Sequence, residues 1–415
     1  MGLACWEQFV LEDNISADFH INDHNSQNDN MASFYDETSV EGIYRPRAIF
    51  MDSDKYSIDA SMTHRITSTM AKSSFVCPSM PDHMHADRSM PYDGCVEAIR
   101  KTAEKSHKIE GFFIHYGAEG QTSNLTSQAV LLHIKDMYKK QSIAVNCVLP
   151  SAINKIDIDV CSTALSSWIT AISNSDMVFI YQNSAISRNY RQTQCCLNPG
   201  IRDINLLIAL SQSSTTMSMR MPARTGILSD MASITSNMVP YPSINILSSA
   251  VSPMTPAWHT AADLTPGMSI NRLSDLGTCE YSTAYKSLHF MSTLIVYRGL
   301  EVSRTVLNAA ISDFKSKTNF VDWGTAGVRC ASHNEIVPLP VYAKMKSSNA
   351  GACLISNSSE PRYLIDDIVD RYDAVCTKGT ILDADIIDCL DIARDRQQDY
   401  CEIVGQINDY QDDFF

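Results

Sequence analysis

The sequence predicts an α/β protein: a doubly wound parallel sheet over about residues 1–185, a second α/β region over about 225–355, and two acidic helices after it. Three observations carry this reading. Gly111-Phe112-Phe113-Ile114-His115-Tyr116 is a buried-strand run, followed by a small polar loop and by apolar residues at helical spacing (Leu125, Ala129, Leu132, Met137) across 125–140. Further strand runs at 142–149 and 177–181 alternate with helical stretches, the pattern of a parallel sheet. From Ser243 the strand pieces 244–247 and 294–297 alternate with a helix over 302–315.

Taken in order, residues 6–11 read as helix, and 13–41 as a long polar loop rich in Asn, Asp and Ser. Residues 47–52 read as a strand ending in the acids Asp52 and Asp54. Residues 73–90 are irregular, with Pro78 and Pro81, and hold His83 and His85, two imidazoles without a third metal ligand. An amphipathic helix spans 95–105. Residues 185–221 are helical, interrupted at Pro199-Gly200, and 363–413 form two acidic helices.

Composition narrows the function. Hydrophobic content of 44% suits a globular core, and no run of about 18 apolar residues marks a membrane span. The opening residues lack the basic-then-apolar pattern of a secretory leader. Thirteen cysteines show no C-x-x-C and no zinc spacing, so they read as free thiols of a reducing cytosol; Cys195-Cys196 are adjacent. A net charge of −14 argues against nucleic acid as a partner.

The loop Gly117-Ala118-Glu119-Gly120-Gln121-Thr122-Ser123-Asn124 lies between a strand and a helix N-terminus. That position offers free backbone N–H groups and the positive end of a helix dipole, a common phosphate cradle. Glu119 works against it, since an ionised carboxylate about 5 Å from a phosphate charge repels it by roughly 3 kcal/mol at an effective dielectric of 20. No Ser/His/Asp arrangement, complete Gly-rich fingerprint or metal constellation points to another enzyme chemistry.

Nine islands along the chain carry a family pattern: Gly2-x-Ala4-Cys5-Trp6-Glu7, Pro46-Arg47-Ala48-Ile49-Phe50-x-Asp52, Ile99-Arg100-Lys101, Ser175-Asp176 with Asn183, Val239-Pro240-Tyr241-Pro242, Tyr297-Arg298-Gly299, Asn308-Ala309-Ala310-Ile311, Phe320-Val321-Asp322-Trp323, and Arg394-Asp395 with Asp399-Tyr400. In this order and spacing the chain resembles α-tubulin over nearly its whole length. The resemblance implies a GTP-binding domain with its core helix over 1–222, an intermediate α/β domain over 223–355 and C-terminal helices over 356–415. It also implies GTP and Mg²⁺ as cofactors, a β-tubulin-like partner in a head-to-tail filament, and a place in the cytoplasmic cytoskeleton.

Matched residue by residue, the resemblance assigns cofactor binding to Asp54, Gly120, Gln121, Asn183 and Asn205, with Asp54 as the acid near Mg²⁺. The departures concentrate at the same site. Met1 falls about fifteen residues into the family pattern, so the family's first strand and its Gly-Gln-rich turn have no counterpart. In a sheet of order 3-2-1-4-5-6 that strand is central, and two edges should lack partners. The Gly-rich phosphate loop becomes Ala118 to Asn124, with one Gly kept. The guanine-stacking Tyr aligns with Ile201, and the catalytic Glu that acts on the partner's GTP aligns with Ser233. A hydroxyl cannot replace a carboxylate that orients or deprotonates water, so no catalytic residue is assigned. The expectation is a tubulin-like subunit that binds GTP without hydrolysing it. The alternative is a nucleotide-free interaction or capping protein, or a degenerate non-functional paralogue.

Overall fold

The computed structural model describes residues 1–16, 20, 33–38, 42–78, 93–106, 108–118, 120–149, 158–221, 229–257, 264–279, 288–324, 327–376 and 384–412. His83, His85 and Glu119 lie outside them.

The chain opens with helix α1 (Gly2–Glu12), then two short strands, β1 (Tyr35–Glu37) and β2 (Tyr44–Pro46), paired antiparallel. β1 falls inside the stretch expected to be loop throughout. The strand expected over 47–52 is only β3 (Phe50–Met51), followed by helix α2 (Lys55–Met62). β3 pairs in parallel with β4 (Phe75–Val76), a strand too short to show any period in sequence.

Helix α3 (Asp93–Glu104) leads to β5 (Gly111–Gly117), helix α4 (Gln121–Met137), β6 (Ser142–Leu149), helix α5 (Ile158–Asn174), β7 (Met177–Gln182), helix α6 (Asn183–Gln192) and helix α7 (Ile201–Arg220). β5, β6 and β7 are parallel neighbours, with Ile114 opposite Val145 and Val145 opposite Val178. Their apolar residues meet helices on both faces, which is why these strands read as continuous hydrophobic runs. The doubly wound sheet is present as the alternation predicted.

The second half continues the same sheet. Helix α8 (Met231–Met238) precedes β8 (Ile246–Ser252), which joins β7 through Val178–Ile246 and Phe179–Leu247. Then come helix α9 (Pro266–Arg272), β9 (His289–Gly299), helix α10 (Arg304–Lys317), β10 (Asn319–Phe320), β11 (Val328–His333) and β12 (Ala350–Ser358). The sheet order is β10-β9-β12-β8-β7-β6-β5, with β11 also on β9. β12 runs antiparallel between β8 and β9. Helices α11 (Pro361–Cys376) and α12 (Ala384–Asp412) pack together as the expected C-terminal pair.

α7 is the central rod. Its residues from Asp203 onward are buried except Asn205. A helix hidden all round must satisfy its own hydroxyls, and it does so by returning them to the preceding turn: Ser214 Oγ to Leu210 O at 2.9 Å, Thr215 Oγ1 to Ser211 O at 2.9 Å and Thr216 Oγ1 to Gln212 O at 3.0 Å. α1 lies along it, and Arg220 stacks over the Phe9 ring at 4.3 Å.

The outer edge of β5 has no strand partner among the described residues; the sheet ends there, and no ladder joins β5 to β3. Phe112 and Ile114 lie in the same apolar cluster as Met51 of β3 and Val76 of β4.

Candidate functional site

Three parallel strands deliver the candidate residues to one rim of the sheet. The register sets Gly117 opposite Val148, Val148 opposite Tyr181, and Leu149 opposite Gln182. The Ala118–Gly120 turn after β5 and Asn183 after β7 thus sit along the carboxyl ends of neighbouring strands, where open α/β sheets hold ligands. Ala118 N–H donates to Val148 O at 2.9 Å, locking the turn to β6.

The turn is shorter than the sequence suggested. α4 begins at Gln121, not near 125, so Gln121, Thr122, Ser123 and Asn124 form its first turn. Gly120 is the N-cap and makes no side-chain cap bond. The first N–H groups of a helix have no partner within it, so an uncapped start leaves donors for an anion. Ser123 Oγ bonds back to Gly117 O at 2.8 Å and Gly120 O at 2.9 Å. Asn124, wholly buried, donates from Nδ2 to Ala118 O at 2.9 Å and accepts from Ser167 Oγ at 3.1 Å. Asn124 is the clamp that reading the segment as loop missed, because its polar run gave no helical period. A Cβ at Gly120 would stand 2.9 Å from Ser123 Oγ, so the glycine keeps the turn tight.

α6 begins at Asn183, also without a side-chain cap. Asn183 Oδ1 and Ser184 Oγ are buried and have no hydrogen-bond partner among the described residues. Both oxygens, side by side at the sheet rim, retain the capacity to accept a hydrogen bond. Asn205 is half-buried in the second turn of α7, and Tyr190 Oη on α6 donates to Asp203 O at 2.7 Å, tying the two helices together. Ile201 is exposed at the first position of α7.

Asp54 follows the carboxyl end of β3. It is the N-cap of α2, and its carboxylate accepts from Tyr56 N at 3.1 Å, Ser57 N at 3.2 Å and Ser57 Oγ at 2.8 Å. These bonds, the Ser57 hydroxyl first and the Tyr56 amide next, hold the carboxyl below its ordinary range. It is exposed, and its three hydrogen bonds give it the local role of capping α2. Among the described residues no group of three His, Cys, Asp or Glu side chains comes together as a metal site. Ser233 sits in the first turn of α8, where its N–H donates to the capping Asp230 Oδ1 at 2.7 Å.

The second half contributes a surface. Tyr241 and Trp323 pack edge to face with ring centroids 5.9 Å apart, yet remain 55% and 47% exposed. The two segments that carry them were separate islands in sequence.

A doubly wound parallel sheet, a buried central helix, a second α/β half and a C-terminal helix pair define an α/β protein whose loops gather at the carboxyl rim of the sheet. A family model described as the Tubulin/FtsZ family, GTPase domain, matches residues 1–191. The tubulin alpha-2B chain of Physarum polycephalum is 26% identical over 400 residues, spanning 91% of this chain and 86% of that protein. The tubulin alpha chain of Dictyostelium discoideum is 24% identical over 403 residues, and the tubulin alpha-3 chain of Zea mays 24% over 396, with the same coverage. Over residues 1–191 the chain is similar to the GTPase domain of the Tubulin/FtsZ family, and over 91% of its length to these relatives, which are α-tubulins.

Proposed function

We propose that this chain is an α-tubulin-type structural subunit of the cytoplasmic cytoskeleton that holds a guanine nucleotide without promoting its hydrolysis in a partner. The observation that carries the reading is the pair of orphaned buried atoms, Asn183 Oδ1 and Ser184 Oγ, on the rim that also holds the uncapped start of α4. An amide oxygen accepts from ring N–H and exocyclic amino donors, and the α4 start suits phosphate oxygens. Gly120, Gln121, Asn183 and Asn205 are the residues we assign to the nucleotide. The resemblance gives Asp54 to Mg²⁺, and its carboxylate also caps α2. We assign the nucleotide domain to 1–222, the intermediate domain to 223–355 and the terminal helices to 356–415.

The exposed Tyr241–Trp323 pair supports a β-tubulin-like partner, since aromatic side chains are enriched at protein interfaces. Extraction of the purified chain followed by chromatography of released nucleotide tests the first half of this proposal; bound GTP or GDP at near one per chain is expected. Co-pelleting with microtubules tests the second. A chain that pellets with microtubules but releases no nucleotide establishes the alternative, a nucleotide-free interaction or capping protein. Asp54's commitment to α2 favours that alternative.

A further inference from the structure

The adjacent cysteines of the α6–α7 connector meet a lysine from the far half of the chain. Lys344 Nζ stands 3.3 Å from Cys196 Sγ and 2.7 Å from Asp203 Oδ2. Asp203 is buried and accepts the Gly200 amide at 2.8 Å through the same oxygen, so the carboxylate that holds the ammonium is itself fixed. The connector is held too: Cys196 N–H donates to Tyr190 O at 3.2 Å and Arg191 Nε to Leu197 O at 3.1 Å. Cys196 is half-buried, while Cys195 beside it is buried and faces Thr193 Oγ1 at 3.3 Å.

We propose that the Cys196–Lys344–Asp203 cluster is a covalent modification site for small soft electrophiles, with Cys196 as nucleophile and Lys344 as the ammonium held against its sulfur. The thiolate is the attacking species of a cysteine. Lys344 is held above the ordinary lysine range, first by its hydrogen bond to Asp203 and next by that to Cys196, so it stays charged. With iodoacetamide the step is simple. The thiol gives its proton to solvent, sulfur forms a bond to the methylene carbon, the carbon–iodine bond breaks, and iodide leaves. The product loads a thioether onto the connector that joins α6 to the nucleotide-facing end of α7.

The chain carries its own controls, because Cys77 and Cys401 are more exposed than Cys196, and Cys77 Sγ faces a carbonyl, Ser53 O, at 3.5 Å. If exposure alone governed reactivity, those two would label first. Time-resolved alkylation of the folded chain with limiting iodoacetamide, read by peptide mass spectrometry, is expected to label Cys196 about fivefold faster than either. Lys344→Gln should slow Cys196 by about the same factor, the equivalent of roughly 1 kcal/mol for a unit-charge contact in water, and leave Cys77 and Cys401 unchanged. Lys344→Arg, which keeps the charge, should retain most of the rate and guards against a folding effect. Labelling of Cys196 no faster than of Cys77, or a rate at Cys196 unaffected by Lys344→Gln, overturns the proposal.

Discussion

Arg298 Nη1 donates to Glu12 Oε1 at 2.8 Å, and both side chains are almost wholly buried although 286 residues separate them. Arg220 Nη2 meets the other Glu12 oxygen at 2.6 Å, Arg220 Nη1 meets Asp13 at 2.6 Å, and Ser213 Oγ donates to Glu12 at 2.5 Å. This network fastens α1, the central helix α7 and β9 to one another. It explains why helix packing alone does not set how the opening helix meets the second half: a carboxylate shared by two guanidinia admits one geometry.

Removing Glu12 should therefore be costly. Glu12→Gln leaves two buried guanidinia short of charge, and breaking such a pair costs about 3–5 kcal/mol. Burial alone pushes the Glu12 carboxyl up, but Arg298 and Arg220 outweigh it and hold the group at about 2. A carboxyl depressed in the folded state contributes stability that is full above its unfolded value, about 4.3 for a glutamate, and is lost as pH falls through about 2. Urea unfolding of both chains is expected to show a gap that is wide at pH 6 and narrows steadily below pH 4. A gap independent of pH would show that Glu12 acts by shape and not by charge.

The open edge of β5 has a kinetic consequence. Along a strand, successive residues direct their backbone groups to opposite sides. One set within Phe112–Tyr116 bonds to β6, and the other faces an edge with no partner strand among the described residues. Amide hydrogen exchange should alternate along this strand, fast and slow, while the β6 amides between two strands are all slow. Uniform protection across residues 112–116 would mean that another segment covers the edge.

Asp54 separates two roles in one side chain. Asn caps helices about as well as Asp, whereas Ala loses the cap at a cost of about 1 kcal/mol. Asp54→Asn should leave the denaturation midpoint of the chain nearly unchanged and Asp54→Ala should lower it. Because the carboxylate is spent on α2, nucleotide content should be the same in Asp54→Asn as in the native chain. A drop in bound nucleotide for Asp54→Asn alone would restore the magnesium role.

Legibility followed length and locality. β6 was readable to the residue because seven of its eight positions are apolar or small and a helix flanks each end. β12 has no alternation to read, since all nine of its residues are buried in the middle of the sheet, polar ones included. β3 and β4, of two residues each, exist only because they pair. One family island pointed to the rim through Asn183 and the strand–loop–helix run pointed to it through Gly120, but nothing local told that Asn124 clamps the loop or that Asp54 is a cap. The Glu12–Arg298 contact was beyond reach, because its two residues share no periodicity and find each other only through the fold.

Ser233 offers a reversal. It is the third residue of α8, and Asp230 already caps its N–H at 2.7 Å. A Glu at that position completes a capping box by reaching back to the Asp230 amide, and an acid in the first turn suits the helix dipole. Ser233→Glu should therefore leave stability unchanged or raise it by a few tenths of a kcal/mol. If the chain meets its partner as proposed, the new carboxylate also stands where it can orient water on the partner's nucleotide. Phosphate release measured on mixed filaments is expected to be slow with the native chain and at least about a hundredfold faster with Ser233→Glu, the scale of general-base assistance. A variant that is as stable as the native chain, co-assembles equally well and still leaves phosphate release slow would remove Ser233 from any account of why this subunit does not promote hydrolysis.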